Sequence, residues 1–255
     1  ERMSSVNNLM VLSPTGSGKT LPFLIAILTK LNAKDKGVQA IVVVPSRELA
    51  LQIENVFKAM KTSFKVSCCY GGHSFKTEQD SLSEAPALLI ATPGRLADHI
   101  SRHSFDPSTV KIVVLDEFDK SLEFGFKDEM EYIIQQCNNI KKRILTSATA
   151  LDEIPDFVGI NDCVELNYTA GQIESKSTLS IKSVRVKGDD KLEALMLLLG
   201  HIKSQATLVF CNHRDAVNRI SEQLTFNKVD HGAYHGAMEQ IDRERTLIKF
   251  RNGSI

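Results

Sequence analysis

A strand, a glycine loop and a helix in immediate succession constrain this chain more than any other feature. Leu9-Met10-Val11-Leu12 is an apolar run of strand length, and the apolar stretch from Leu21 to Leu31 is long enough for a helix. Between them lies Ser13-Pro14-Thr15-Gly16-Ser17-Gly18-Lys19-Thr20. That order is the context a phosphate-binding loop requires. Gly16 and Gly18 permit a turn whose successive N–H groups face one oxyanion, and the helix N-terminus adds its dipole. Lys19 would reach the β- and γ-phosphates of a nucleoside triphosphate, and the Thr20 hydroxyl would ligate Mg2+. Thr15, Gly16, Ser17, Gly18, Lys19 and Thr20 are therefore the candidate nucleotide-binding residues. The strict loop pattern has glycine at position 13, where this chain has serine.

Short β-rich runs alternate with helical stretches along the rest of the chain. Strands are expected over 9–13, 38–44, 65–70, 87–91, 111–115, 143–146 and 163–167. Ala40 to Val44 and Ile112 to Leu115 are continuously apolar, as parallel strands buried on both faces are. Helix 46–60 gathers Leu49, Ile53, Val56, Phe57 and Met60 on one side, with Ser46 as its N-cap. Helix 126–136 does the same with Met130, Ile133, Ile134 and Cys137. Pro22 is expected to bend the glycine-loop helix. The alternation predicts a doubly wound α/β domain with its ligand at the carboxyl ends of the strands.

Residues 168–183 are polar and aperiodic and read as an interdomain linker. The domains are thus expected at 1–167 and 184–255. The second series has strands near 181–187, 206–211 and 229–234 and helices over 190–203, 213–226 and 239–251. Three such units make a narrow sheet, so the second domain is expected to be truncated.

Composition bears on three points. The 31 basic and 31 acidic residues cancel, so a nucleic-acid partner has to be argued from motifs, not from net charge. Lys141-Lys142-Arg143 is read as a solvated strand entry, not a nucleic-acid patch. The five cysteines lack metal-ligand spacing and read as small buried residues of a reducing cytoplasm, Cys68 and Cys69 pointing to opposite faces of a strand. No apolar run approaches the ~20 residues that cross a membrane.

Asp116-Glu117-Phe118-Asp119 directly follows the apolar run Ile112-Val113-Val114-Leu115. By itself this is equally an acidic N-cap cluster. After a glycine loop one domain-length upstream, it reads as the second half of a nucleotide site. Asp116 would hold Mg2+, and Glu117 would orient and deprotonate the attacking water.

With these residues in place, the chain resembles the DEAD-box RNA helicases, a family of two RecA-like domains of the P-loop NTPase type. Ser13–Thr20 resembles the ATP-binding motif I, Pro45-Ser46-Arg47-Glu48-Leu49-Ala50 motif Ia, and Gly71-Gly72 the family's glycine pair. Thr92-Pro93-Gly94-Arg95 resembles motif Ib, Asp116–Asp119 the name-giving motif II, and Ser147-Ala148-Thr149 motif III. Val209-Phe210-Cys211-Asn212 resembles motif IV, and Gln240 with Arg243 the Gln-x-x-Arg motif. These elements occur in family order over essentially the whole chain.

The resemblance implies an ATP-dependent RNA helicase with ATP and Mg2+ as its cofactors. It implies a largely sequence-independent grip on the RNA backbone through Pro45, Ser46, Arg47, Gly71, Gly72, Thr92, Pro93, Gly94, Arg95, Gln240 and Arg243. Ribonucleoprotein partners are expected. The turns after 38–44, 65–70 and 87–91 also make physical sense as phosphate sites: each brings free N–H groups or a close backbone approach. Asp119, Ser147 and Thr149 are implied to couple the nucleotide to domain closure, although Ser147-Ala148-Thr149 alone is equally a polar turn. His235 is read as structural.

Phe118 stands where the family name has alanine. Altered packing under motif III is expected, not lost metal binding. The adenine-recognising Q motif and motifs V and VI lie outside this chain, so weak ATP binding and poor hydrolysis are expected of it. An RNA clamp without productive turnover and a DNA-directed helicase are the alternative readings.

Overall fold

Runs such as Ala40 to Val44 have no polar face to offer solvent, so they fold only where both faces are covered. The computed structural model describes residues 2–14, 16–72, 74–151, 153–160, 162–169, 180–186, 191–202 and 205–255. The chain divides into two compact units, Glu1–Lys176 and Ser177–Ile255.

The first unit runs α1 (Arg2–Ser5), β1 (Asn8–Leu12), α2 (Thr20–Leu28), β2 (Ala40–Val43), α3 (Arg47–Ala59), β3 (Val66–Cys69) and α4 (Phe75–Ser83). It continues with β4 (Leu88–Ala91), α5 (Pro93–Ser101), β5 (Ile112–Leu115), α6 (Phe118–Glu123), α7 (Lys127–Gln136), β6 (Lys142–Ser147) and β7 (Val164–Asn167). The strands form one seven-stranded sheet in the order β3-β4-β2-β5-β6-β1-β7, and every pairing is parallel.

Alternation along the strands divides the core in two. Met10, Leu12, Ile41, Val43, Leu89, Ala91, Val113, Leu115 and Leu145 face one side, where Leu82 of α4, Leu96 of α5, Phe118 of α6 and Met130 of α7 cover them. Leu9, Val11, Ala40, Val42, Leu88, Ile90, Ile112, Val114 and Ile144 face the other, under Phe23 and Leu24 of α2 and Ile53 and Phe57 of α3. Cys69 joins the first face and Cys68 packs against the second, as their adjacency in a strand predicts.

Two local expectations need correction. Pro22 is the third residue of α2, with Lys19 as its N-cap. The first four N–H groups of a helix have no intrahelical partner, so the proline costs no bond there and requires no bend. Lys142 is not solvated: it is buried, and its ammonium donates to the Val6 carbonyl.

In the second unit, α8 (Leu192–Ile202), α9 (Arg214–Phe226) and α10 (Gln240–Arg251) match the expected helices. The strands expected near 181–187, 206–211 and 229–234 are not found among the described residues, and residue 187 lies outside them. An apolar run becomes a strand only through a ladder with a neighbour. Leu208, Val209 and Phe210 lie instead in an irregular stretch, with Phe210 89% exposed. Of the expected linker, residues 170–179 lie outside the described ones.

Candidate functional site

All strand-to-helix turns open on one edge of the sheet, because all seven strands are parallel. Strand order sorts the candidate residues along that edge. The neighbours β5, β6 and β1 end in 116–119, 147–149 and the glycine loop. The neighbours β3, β4 and β2 end in 71–72, 92–95 and 45–47. The two groups adjoin where the Asp116 N–H donates to the Val43 carbonyl at 2.9 Å.

In the first group, Gly16 and Gly18 have φ of +76° and +81°, a region that side-chain-bearing residues rarely adopt. Lys19 Nζ donates to the Ser13 carbonyl at 2.7 Å, and the Ser13 hydroxyl donates to that of Ser17 at 2.6 Å. Serine at position 13 therefore braces the loop through its hydroxyl. Thr15 lies outside the described residues. Thr20 opens α2.

Asp116 is 4% exposed. Burial holds its carboxyl above the usual range, against the opposing pull of a Thr146 hydrogen bond and the Lys19 charge. Glu117 is raised too, first by burial and then by the charge of Asp116. Its backbone is left-handed, with φ 47° and ψ 51°, a conformation uncommon for a residue other than glycine and one that clusters at functional sites. The Thr146 hydroxyl donates to Asp116 Oδ1 and accepts from the Glu117 N–H at 3.1 Å. One hydroxyl thus fixes both acids.

Asp119 Oδ2 accepts from the Ala148 N–H, the Thr149 N–H and the Thr149 hydroxyl at 3.2, 3.2 and 2.9 Å. Burial works to raise its carboxyl, but these bonds outweigh it and hold the group below its ordinary value. Ser147 does not join this bridge. Its hydroxyl donates to the Thr149 carbonyl and shapes the turn. Asp119 Oδ1 is buried without a hydrogen-bond partner. Phe118, between the acids, is fully buried and lies 6.4 Å from the Phe157 ring, centroid to centroid.

In the second group, Pro45 leads into Ser46, whose hydroxyl caps α3 by accepting from the Leu49 N–H at 3.2 Å. The Arg47 guanidinium lies against the glycine pair. A Cβ on Gly72 would stand 2.6 Å from Arg47 Nη1, and Gly72 has φ +98°. Thr92 and Pro93 open α5, where the Thr92 side chain makes no capping bond. A Cβ on Gly94 would meet nothing within 4 Å, so this helix N-terminus is open to a ligand. Arg95 is drawn inward instead, to 3.0 Å from Glu78 and 3.8 Å from Asp98.

In the second unit, Gln240 opens α10 and donates to Glu244 at 2.9 Å. Arg243 Nε is buried with no hydrogen-bond partner. His235 Nε2 contacts Asn218 Oδ1 at 3.1 Å, and its Nδ1 is buried without a hydrogen-bond partner.

Sequence reading missed Thr146, Glu78 and His99. Thr146 stands one residue before motif III and looked like strand filler. Glu78 shares a helical spacing with Phe75 and Leu82, and that period was the available signal for a buried acid.

The family model described as DEAD/DEAH box helicase matches residues 1–157, and the one described as Helicase conserved C-terminal domain matches residues 190–255. The chain is 32% identical over 252 residues to the ATP-dependent RNA helicase eIF4A of Mycosarcoma maydis, a match covering 97% of this chain and 61% of that protein. It is 32% identical over 254 residues to the ATP-dependent RNA helicase DeaD of Mycobacterium tuberculosis, covering 98% and 45%. Among solved structures, S. cerevisiae Dbp5 bound to RNA and ADP BeF3 is similar at a TM-score of 0.80 and 25% identity, with 97% and 64% covered. A DEAD box protein from Methanococcus jannaschii matches at 0.61 and 29%, with 100% and 69% covered. The chain spans less than two thirds of either curated relative.

Proposed function

This chain belongs to the DEAD/DEAH box helicase family, and from that premise we propose that it carries the ATP and RNA sites of an ATP-dependent RNA helicase. The observation that supports this best is the sorting of the turns. Turns suited to phosphates and a metal lie on β5, β6 and β1, and turns suited to a nucleic-acid backbone lie on β3, β4 and β2. RNA is our assignment because the matched relatives are RNA helicases.

In this reading Gly16, Ser17, Gly18 and Lys19 hold the triphosphate with N–H groups and one ammonium. Asp116 and Thr20 offer hard oxygen ligands, and the buried Asp116 carboxyl lacks a full counter-charge, so the site suits Mg2+. That ion would neutralise developing phosphate charge. Glu117, raised toward neutrality by burial and by Asp116, accepts the proton of the attacking water. Asp119 passes a change at motif II to the 147–149 turn through the Thr149 and Ala148 bonds. In our reading ATP and RNA binding together close the protein and open short duplexes, and hydrolysis releases the RNA. The free cysteines fit a reducing compartment, the cytoplasm in this reading.

ATP hydrolysis by a chain extended at both ends toward the length of its relatives, measured with and without single-stranded RNA, tests the proposal, with Glu117→Gln as control. RNA should stimulate turnover, and Glu117→Gln should bind ATP but lose at least about a hundredfold in rate. ATP-dependent RNA binding without turnover would replace the enzyme with a clamp. Equal stimulation by DNA of the same length would remove the RNA assignment.

A further inference from the structure

Beside the open N-terminus of α5 lies a buried polar cluster that the proposed chemistry does not use. Glu78, on α4, is 7% exposed and His99, on α5, is 0% exposed. Glu78 Oε1 accepts from the Tyr70 N–H at 3.0 Å, immediately before Gly71-Gly72. Glu78 Oε2 contacts His99 Nε2 at 2.9 Å and Arg95 Nε at 3.0 Å. His99 Nδ1 lies 3.0 Å from the Ser104 hydroxyl. A neutral imidazole satisfies both contacts, with Nε2–H donating to Glu78 and Nδ1 accepting from Ser104. Phe75 stacks on His99 at 4.4 Å, and the Arg102 guanidinium lies over the same ring at 4.5 Å.

Ligand atoms of Cys69, Glu78 and His99 lie within 4.8 Å of one another, a grouping that suggests a metal. One feature favours a different role: the Arg95 guanidinium already takes the cation's place on Glu78.

The carboxylate therefore joins two turns of the proposed RNA half. β3 and β4 are paired neighbours, and the Thr92 N–H donates to the Cys69 carbonyl at 3.1 Å. One oxygen of Glu78 holds the backbone entering Gly71-Gly72, and the other holds Arg95 in the first turn of α5. Arg95 has only 13% of its side chain exposed and faces two carboxylates. Its charge is offset before any phosphate arrives.

We propose that Glu78 is a positioning residue for RNA binding: it fixes the Tyr70–Gly72 turn and the N-terminus of α5 at one spacing, with Arg95 as an internal strut and not a phosphate contact. The inference rests on the RNA reading above. It shifts the grip at this turn from the Arg95 side chain to the backbone N–H groups of α5.

The test is RNA binding by the full 255-residue chain, using a fluorescein-labelled single-stranded RNA at several salt concentrations. Glu78→Gln keeps the shape and loses the charge. It should weaken RNA binding about tenfold through loss of the buried Glu78–Arg95 ion pair, a charge contact and not a hydrogen bond, with ATP affinity unchanged. Arg95→Gln should do the same, and the double variant should lose little more, because both remove one strut. The slope of log affinity against log salt should stay at the wild-type value in Arg95→Gln. A drop of about 0.7 would reveal a direct phosphate contact and overturn the proposal. Unchanged or tighter RNA binding by Glu78→Gln would also overturn it. If Glu78→Gln does not fold, His99→Gln removes the second partner of Oε2 and enters the same cycle. A wild-type chain that binds ATP but no RNA would defeat the RNA reading itself, a result distinct from either of these.

Discussion

Thr146 carries more of the nucleotide half than its place in the sequence suggests. Its hydroxyl donates to Asp116 and accepts from the Glu117 N–H, so one side chain sets the distance between the two acids. Thr146→Val keeps the shape and leaves a buried carboxylate oxygen and an N–H without a partner, at a cost of about 1–3 kcal/mol in stability. The same bond lowers the Asp116 carboxyl against the pull of burial. Without it that carboxyl rises further, so more of it is protonated at a given pH. Mg2+-dependent nucleotide binding should then fail at a higher pH in Thr146→Val than in the wild type. Fluorescent-nucleotide titrations from pH 5 to 8 read this directly, and coincident profiles would contradict it. At this scale the sequence was legible where a residue type is chemically committed: glycines at positive φ, a lysine at a helix start, carboxylates after an apolar strand. It was not legible where role depends on register. Arg95 looked like a phosphate ligand, and only the fold shows it turned onto Glu78.

Among the elements, α6 is the weakest in pattern and the most exacting in packing. It has six residues, yet it carries Phe118 in the core and Asp119 toward the 147–149 turn. Phe118 stands where the family name has alanine, and the chain packs it against Phe157 in the segment after motif III. Phe118→Ala restores the family residue but leaves a cavity, so it should destabilise by about 3–5 kcal/mol. Urea unfolding measures this, and a loss under about 1 kcal/mol would show that the site collapses without the ring. Phase explains which elements were readable. Seven short β-rich runs announced seven strands, and α3 announced itself by its cap and stripe. Helix α4 did not, because its inward face includes Glu78. The second unit shows the converse error. Residues 206–211 have strand composition, but a strand is a property of a pair, and no ladder joins them among the described residues.

At the scale of the molecule, the two units differ in how they are stabilised. The first buries a two-faced core around a seven-stranded sheet. In the second, Leu224 is the one buried hydrophobic residue among those described. Residues 1–169 expressed alone should therefore melt cooperatively, while residues 180–255 alone should show helix signal without a sharp transition. A cooperative melt of the second fragment would contradict this. Strand order is the feature of the whole molecule that sequence could not supply. The motifs were readable in a row, but only the order β3-β4-β2-β5-β6-β1 separates them into an ATP half and an RNA half of one edge. Parallel sheets make that possible, since every turn opens on the same side.

Hydrogen exchange by mass spectrometry, with each ligand added in turn, tests that division most directly. MgATP should slow exchange in peptides covering 16–20, 116–119 and 146–149. Single-stranded RNA should slow it in peptides covering 46–49, 70–72 and 92–95. RNA protection confined to the glycine loop and motif II, with the β3, β4 and β2 turns unchanged, would contradict the account.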